Sequence, residues 1–180
     1  MLLRHAKSAW PDVPDHERPL APRGRRDAPV MGRWLRQAAR VPDHVLCSTA
    51  LRARQTWQLA EDALRERPPV IFEHGIYGAS AAGLLGLIRH APPAARTVVV
   101  VGHDPAVQDL ALALAETAPD ADRGATAGAR SPDALDRMRT KFPTAAIAVL
   151  ELSGPWSRLE KGHARLASFV TPRELNGQGR

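Results

Sequence analysis

Four side chains able to handle an anion stand at three separate points of this 180-residue chain. Arg4 and His5 are neighbours in "LLRHAKS" (2 to 8), Arg52 lies in "CSTALRARQTW" (47 to 57), and His103 follows the run "TVVVVG" (97 to 102). An Arg-His pair alone decides nothing, because such dipeptides occur by chance. Two guanidinium groups and two imidazoles brought together are suited to phosphoryl transfer. The transferring group carries negative charge on its outer oxygens, which planar guanidinium forks stabilise, and an imidazole in line with the leaving group can attack phosphorus.

The elements that must position these groups are legible as an α/β pattern. Strands are expected at "MLLR" (1 to 4), "HVLCS" (44 to 48), "VIFE" (70 to 73), "TVVVVG" (97 to 102), "AAIAVLEL" (145 to 152) and 165 to 170. The fourth is β-branched and uncharged, as a central strand buried on both faces should be. Helices are expected over Pro22 to Ala39, with Val30, Met31, Trp34, Leu35 and Ala38 inward; over Ala50 to Leu64, with Leu51, Thr56, Leu59, Ala60 and Ala63 inward; and over 81 to 91 and Ala106 to Glu116. The Gly, Ala, Pro and Asp-rich stretch from 117 reads as a mobile insertion, ending in a short helix capped by Ser131 with Pro132 at its first position. The expected architecture is a three-layer sandwich, a mostly parallel central sheet flanked by helices, in one domain over 1 to 170, with 171 to 180 a loose tail. A first strand of Met1 to Leu3 is short for a central position, which predicts that the strand begins upstream of Met1.

In open α/β sheets ligands bind beyond the carboxyl ends of the strands. Arg4 and His5 follow the first strand, Ser48 to Arg52 the second, and His103 the fourth, so one sheet edge should receive all four groups. His16, His44, His74, His90 and His163 have no such placement and are read as surface or loop residues. The single cysteine, Cys47, has no partner for a disulfide or a zinc motif and is read as core.

Composition narrows the function classes. A 44% hydrophobic and 24% charged chain is globular. No apolar run approaches the roughly 20 residues of a membrane span, and no signal peptide is evident, so a cytoplasmic protein without membrane contact is expected. Net charge is +6, but the basic residues are spread along the chain and aromatic residues are only 4%, which argues against a nucleic-acid platform.

Beyond these residues, the chain resembles the histidine phosphatase superfamily with its phosphoglycerate mutase-like fold, and within it the SixA-type phosphohistidine phosphatases. The resemblance rests on "LLRHAKS", "DHERPLAPRGRRDAPVMGRWL" (15 to 35), "CSTALRARQTW", "IYGAS" (76 to 80), "VVVVGHDPAV" (98 to 107) and "FPTAAIAVLEL" (142 to 152), in that order. It implies that His5 is a nucleophile forming a phosphohistidine intermediate, with Arg4, Arg52 and His103 on the phosphoryl oxygens. The family's Ser-x-x-x-Arg spacing selects Arg52 over Arg54. Arg18, in "ERPL", is either a structural loop contact or an aid in drawing in anionic substrate. No cofactor is implied, and with no HExxH motif or clustered carboxylates no metal is expected.

One departure bears on substrate. Relatives acting on phosphate esters use a carboxylic acid, often a glutamate in the segment following the third strand, to protonate the departing oxygen. Here that segment reads "GIYGAS", with Tyr77 and Gly78. Glu73 lies a few residues early, and Asp104 directly follows His103; each is a candidate acid, against plainer readings as a strand-end carboxylate and as an N-cap before Pro105. An alkoxide needs a proton to leave, whereas the imidazole of phosphohistidine, with a ring pKa of about 6.5, leaves readily. The expectation is a monomeric phosphohistidine phosphatase acting on phosphorylated protein, with a phosphomonoesterase for a small metabolite as the enzymatic alternative and a non-catalytic phosphate-binding module as the other.

Overall fold

The first strand, β1 (Leu2–Arg4), lies deep in a six-stranded sheet, and the chain reaches it before any helix has formed. The computed structural model describes residues 1–115 and 132–177. Within them α1 (Pro22–Gln37), β2 (His44–Ser48), α2 (Leu51–Glu61), β3 (Val70–Glu73), α3 (Ala81–Arg89), β4 (Val98–Gly102), α4 (Ala106–Ala115), α5 (Pro132–Thr140), β5 (Ile147–Leu152), β6 (Ala164–Val170) and α6 (Pro172–Gly177) follow in order. The sheet order is β3-β2-β4-β1-β5-β6. The first four strands pair parallel, and β5 runs antiparallel to both β1 and β6.

Alternation along the strands separates two cores. Leu2, Leu46, Val98 and Val100 face α3, α4 and α5, whereas Leu3, Val45, Cys47, Val99 and Val101 face α1 and α2. This is the expected three-layer sandwich. Register then decides where the polar strand ends fall: Leu3 and Cys47 both pair with Val101, and Arg4 pairs with Gly102. Arg4, Gly102 and Ser48 therefore form one row, extended to Glu73 by its pairing with Ser48.

Helix faces depart from expectation in places. Ala38 and Ala39 lie beyond the end of α1 and are exposed, Ala39 at φ 52°. The buried side of α2 is Arg52, Ala53, Thr56, Trp57 and Ala60, with Leu51 and Leu59 only half-buried. The cause is close contact with α1. A Cβ on Gly32 would lie 1.9 Å from the carbonyl oxygen of Ala60, and one on Gly24 would lie 2.2 Å from that of Lys7. Small residues let α1 pack on both α2 and the segment after His5.

The loose tail expected from 171 gives way to α6. Thr171 and Glu174 form a capping box, the Glu174 carboxylate taking the Thr171 amide at 2.8 Å, and Leu175 packs against the α1 side of the core. The expected insertion from 117 and the Ser131 cap lie outside the described residues, while the short helix beyond them forms as α5. His44 is buried on β2, not at the surface, because its strand is covered on both faces. Among the described residues no helix is long and apolar enough to cross a membrane.

Gly32→Ala should destabilise the protein by about 1–3 kcal/mol, toward the upper end because the obstacle is backbone and not a movable side chain. Urea unfolding followed by circular dichroism checks this; a wild-type midpoint would mean that the α1–α2 approach is not tight.

Candidate active site

The row of strand ends brings Arg4, His5, Arg52 and His103 together. His5 is held through its backbone: its amide donates to Gly102 O at 3.0 Å, and the Ala145 amide reaches Arg4 O and His5 O, each at 3.1 Å. Ala145 adopts φ 60° to make this contact, a left-handed conformation uncommon for residues other than glycine, and this is where β5 loses the two residues predicted at its start. On the other side Thr56 of α2 accepts the Ala6 amide at 2.9 Å while donating to Arg52 O at 2.6 Å. One hydroxyl thus ties the His5 segment to the helix that carries Arg52.

The tautomer of His5 follows from its partner. Its Nδ1 lies 2.8 Å from Ala6 O, and a carbonyl can only accept, so in the neutral ring Nδ1 carries the proton and Nε2 keeps a free lone pair. Burial first, then the neighbouring His103, Arg52 and Arg4 charges, push its pKa down to about 3 against the Ala6 bond. The His103 ring lies 5.1 Å from that of His5, its pKa pushed down to about 4 by burial and by Arg52, against a raising effect of Asp15. Both imidazoles are neutral at physiological pH. His103 Nε2 is 2.8 Å from Ser48 Oγ, which also accepts the Ala50 amide, while its Nδ1 is buried without a partner.

The arginines differ in their support. Arg4 donates through Nη1 to Phe142 O and lies 3.3 Å from Asp104 Oδ2, while its Nε is buried and unpartnered. Arg52 is 7% exposed and contacts Asp15 through both terminal nitrogens, whereas Arg54 is exposed and lies over the Phe72 ring.

The lesser candidates separate. Asp104 faces Arg4 with its Oδ1 buried and unpartnered, so it does not cap α4; burial raises its pKa against the opposing effect of Arg4. Glu73 accepts the Gly75 amide at 2.7 Å and caps the turn after β3. Arg18 is buried and donates to Ala9 O, Ser8 Oγ and Asp15 beneath the Trp10 ring, the structural loop contact. Cys47 is fully buried, its thiol pushed up to about 12.

Three residues at the site carry no sequence-level signal of their own. Asp15 gathers Arg18, Arg52 and Tyr77, and these bonds hold its carboxyl well below the usual carboxylate range. Tyr77, in the segment where the expected glutamate is missing, packs edge-on to His103 and donates its hydroxyl to Asp15 at 2.7 Å. His16, read as a surface residue, also packs on Tyr77 and bonds Thr49, which in turn bonds His74, so two of the histidines set aside form a rim. Chemically the arrangement offers a neutral nucleophile, two fixed cations and an imidazole N–H.

Comparison with known proteins identifies the family. The profile of the Histidine phosphatase superfamily (branch 1) matches residues 1–77. An uncharacterized protein of Mycobacterium tuberculosis is 42% identical over 172 residues, covering 95% of this chain and all of the relative. The structure of a candidate phosphohistidine phosphatase SixA from Nakamurella multipartitia superposes with a TM-score of 0.80 at 34% identity, covering 95% of each chain. Another, the protein histidine phosphatase SixA complexed with tungstate, shares the fold with a TM-score of 0.68 at 24% identity over 97% of each chain. On its strand-end site and on these relatives, the chain belongs to the histidine phosphatase superfamily and is of the SixA type.

Proposed function

We propose that this protein is a metal-independent phosphatase that takes phosphoryl groups from protein phosphohistidine through a phosphohistidine intermediate on His5. The observation that carries the reading is the free Nε2 of a neutral His5 in a cradle of Arg4, Arg52 and His103. In the first step the Nε2 lone pair attacks phosphorus, and the substrate's P–N bond breaks with its electron pair passing to a ring already protonated on its other nitrogen, so that it departs as neutral imidazole. Arg4, Arg52 and His103 would hold the phosphoryl oxygens as charge develops. In the second step water attacks phosphorus, the bond to Nε2 breaks, and phosphate leaves with His5 restored.

The substrate class rests on Tyr77 standing in the segment where the resemblance leads one to expect an acid in ester-cleaving relatives, and on the likeness to the SixA structure from Nakamurella multipartitia. A second reading, hydrolysis of small phosphate esters, is favoured by one feature: Asp104 lies beside Arg4 with its pKa raised by burial, which suits it to donate a proton. Turnover of a phosphohistidine peptide against a panel of alkyl phosphates separates the two. The peptide should be preferred in the presence of chelator; efficient ester turnover without peptide turnover selects the second reading.

The nucleophile has its own test. Brief reaction with labelled substrate and acid-free denaturation should trap a base-stable, acid-labile phosphoenzyme in the wild type and none in His5→Ala. A label surviving that substitution places the intermediate elsewhere.

The buried neutral imidazoles also predict a pH dependence of stability. Unfolded, each titrates near 6.5; folded, His5 and His103 titrate at about 3 and about 4. The unfolded chain therefore binds more protons through that window, and stability is lost as pH falls from about 6.5 toward 4. The double variant His5→Gln, His103→Gln should flatten the fall in Tm between pH 6.5 and 4.5, and a wild-type slope in that variant would show that the rings are not held neutral.

A further inference from the structure

We propose that Asp15 is a positioning residue for the reaction, setting the orientation of the Arg52 guanidinium and through it the oxygen-binding geometry of the pocket; this rests on the phosphate-site reading above. Arginine is long and flexible, and a fork that must meet developing charge is effective only when oriented before substrate arrives. Asp15 orients it twice. Arg52 Nη1 donates to the Asp15 backbone oxygen at 2.6 Å, and Nη2 to its Oδ2 at 2.9 Å.

The carboxylate is itself held from two further segments. Arg18 Nη1 donates to Oδ1 at 2.7 Å, and the Tyr77 hydroxyl donates to Oδ2 at 2.7 Å. Arg18 is anchored in turn by Ala9 O, Ser8 Oγ and the Trp10 ring, whose centroid is 3.2 Å from its guanidinium carbon. Asp15 is thus the node at which the 8–18 segment, α2 and the turn after β3 meet. Each terminal nitrogen of Arg52 has a further N–H, as does Nε, so the clamp leaves donors for a phosphoryl group. An anion held by Arg18 and Tyr77 as well as Arg52 is unsuited to being displaced by each incoming substrate, which favours a fixed clamp over an internal competitor.

The test is tungstate binding by calorimetry, with kcat/KM on a phosphohistidine peptide, for wild type, Asp15→Ala and Asp15→Asn, each repeated in an Arg52→Lys background. Asp15→Ala should weaken tungstate binding and lower kcat/KM by about 100-fold, the scale of a misplaced reacting group. Asp15→Asn, which keeps an oxygen for Nη2, should recover at least about tenfold. With Arg52→Lys, removing Asp15 should change tungstate affinity by less than about twofold, because the two residues act as one unit. Unchanged or tighter tungstate binding in Asp15→Ala would overturn the proposal, the second result marking the carboxylate as a competitor. An equal loss with and without Arg52 would overturn it as well, showing a general loop effect. Failure of the wild type to bind tungstate would instead overturn the phosphate-site reading beneath it.

Discussion

The site depends on the in-register parallel pairing of β1, β4 and β2. Leu3, Val101 and Cys47 lie level, so the next position on each strand places Arg4, Gly102 and Ser48 in a row. Side chains alternate across a sheet, so a slip of one residue in β1 would exchange the faces of Arg4 and His5 and bury the wrong one. Leu2 and Leu3, buried in opposite cores, oppose such a slip. β1 is only three residues long, and its neighbours supply the order: the uniformly buried β4 on one side, and on the other the Arg4 amide bonded to Ala146 O and the Ala145 contact to Arg4 O and His5 O.

On that frame the electrostatics balance two conflicting needs. A phosphoryl site needs positive charge, while an imidazole nucleophile must be unprotonated. Burial does most of the second task, since it is the largest cause of the depressed pKa of both His5 and His103, and the arginine charges push the same way. The cations do not stand alone: Asp104 lies beside Arg4 and Asp15 beside Arg52. Each guanidinium is thereby oriented and part of its field offset, and the Asp15 charge tempers the fall in the His103 pKa.

The strands were the most legible part of the fold because a buried parallel strand is an apolar run between turn residues. β2 and β3 have the bounds their sequences imply, and from the strand ends the four central residues followed. Local periodicity did not settle which side of α2 faces inward. That depends on how closely α1 approaches, and hence on Gly32 meeting the Ala60 carbonyl. Asp15 was equally hidden. In "PDHERPL" it reads as a loop carboxylate, and its importance comes from Arg52 and Tyr77, 37 and 62 residues away. By contrast α6 carried a local signal in Thr171 and Glu174 that could have been read from the chain alone.

Tyr77 connects the loop to the question of the leaving group. Its hydroxyl hydrogen goes to Asp15, so donating a proton to substrate would break that bond and leave a phenolate beside a carboxylate. The same bond raises the phenol pKa, moving it further from the range of a useful acid at neutral pH. The segment in which the resemblance leads one to expect an acid carries instead a tyrosine bonded to the carboxylate that contacts Arg52. The Tyr77 hydroxyl is thus committed to Asp15, which leaves Asp104, beside Arg4 with its pKa raised by burial, as the group placed to donate a proton.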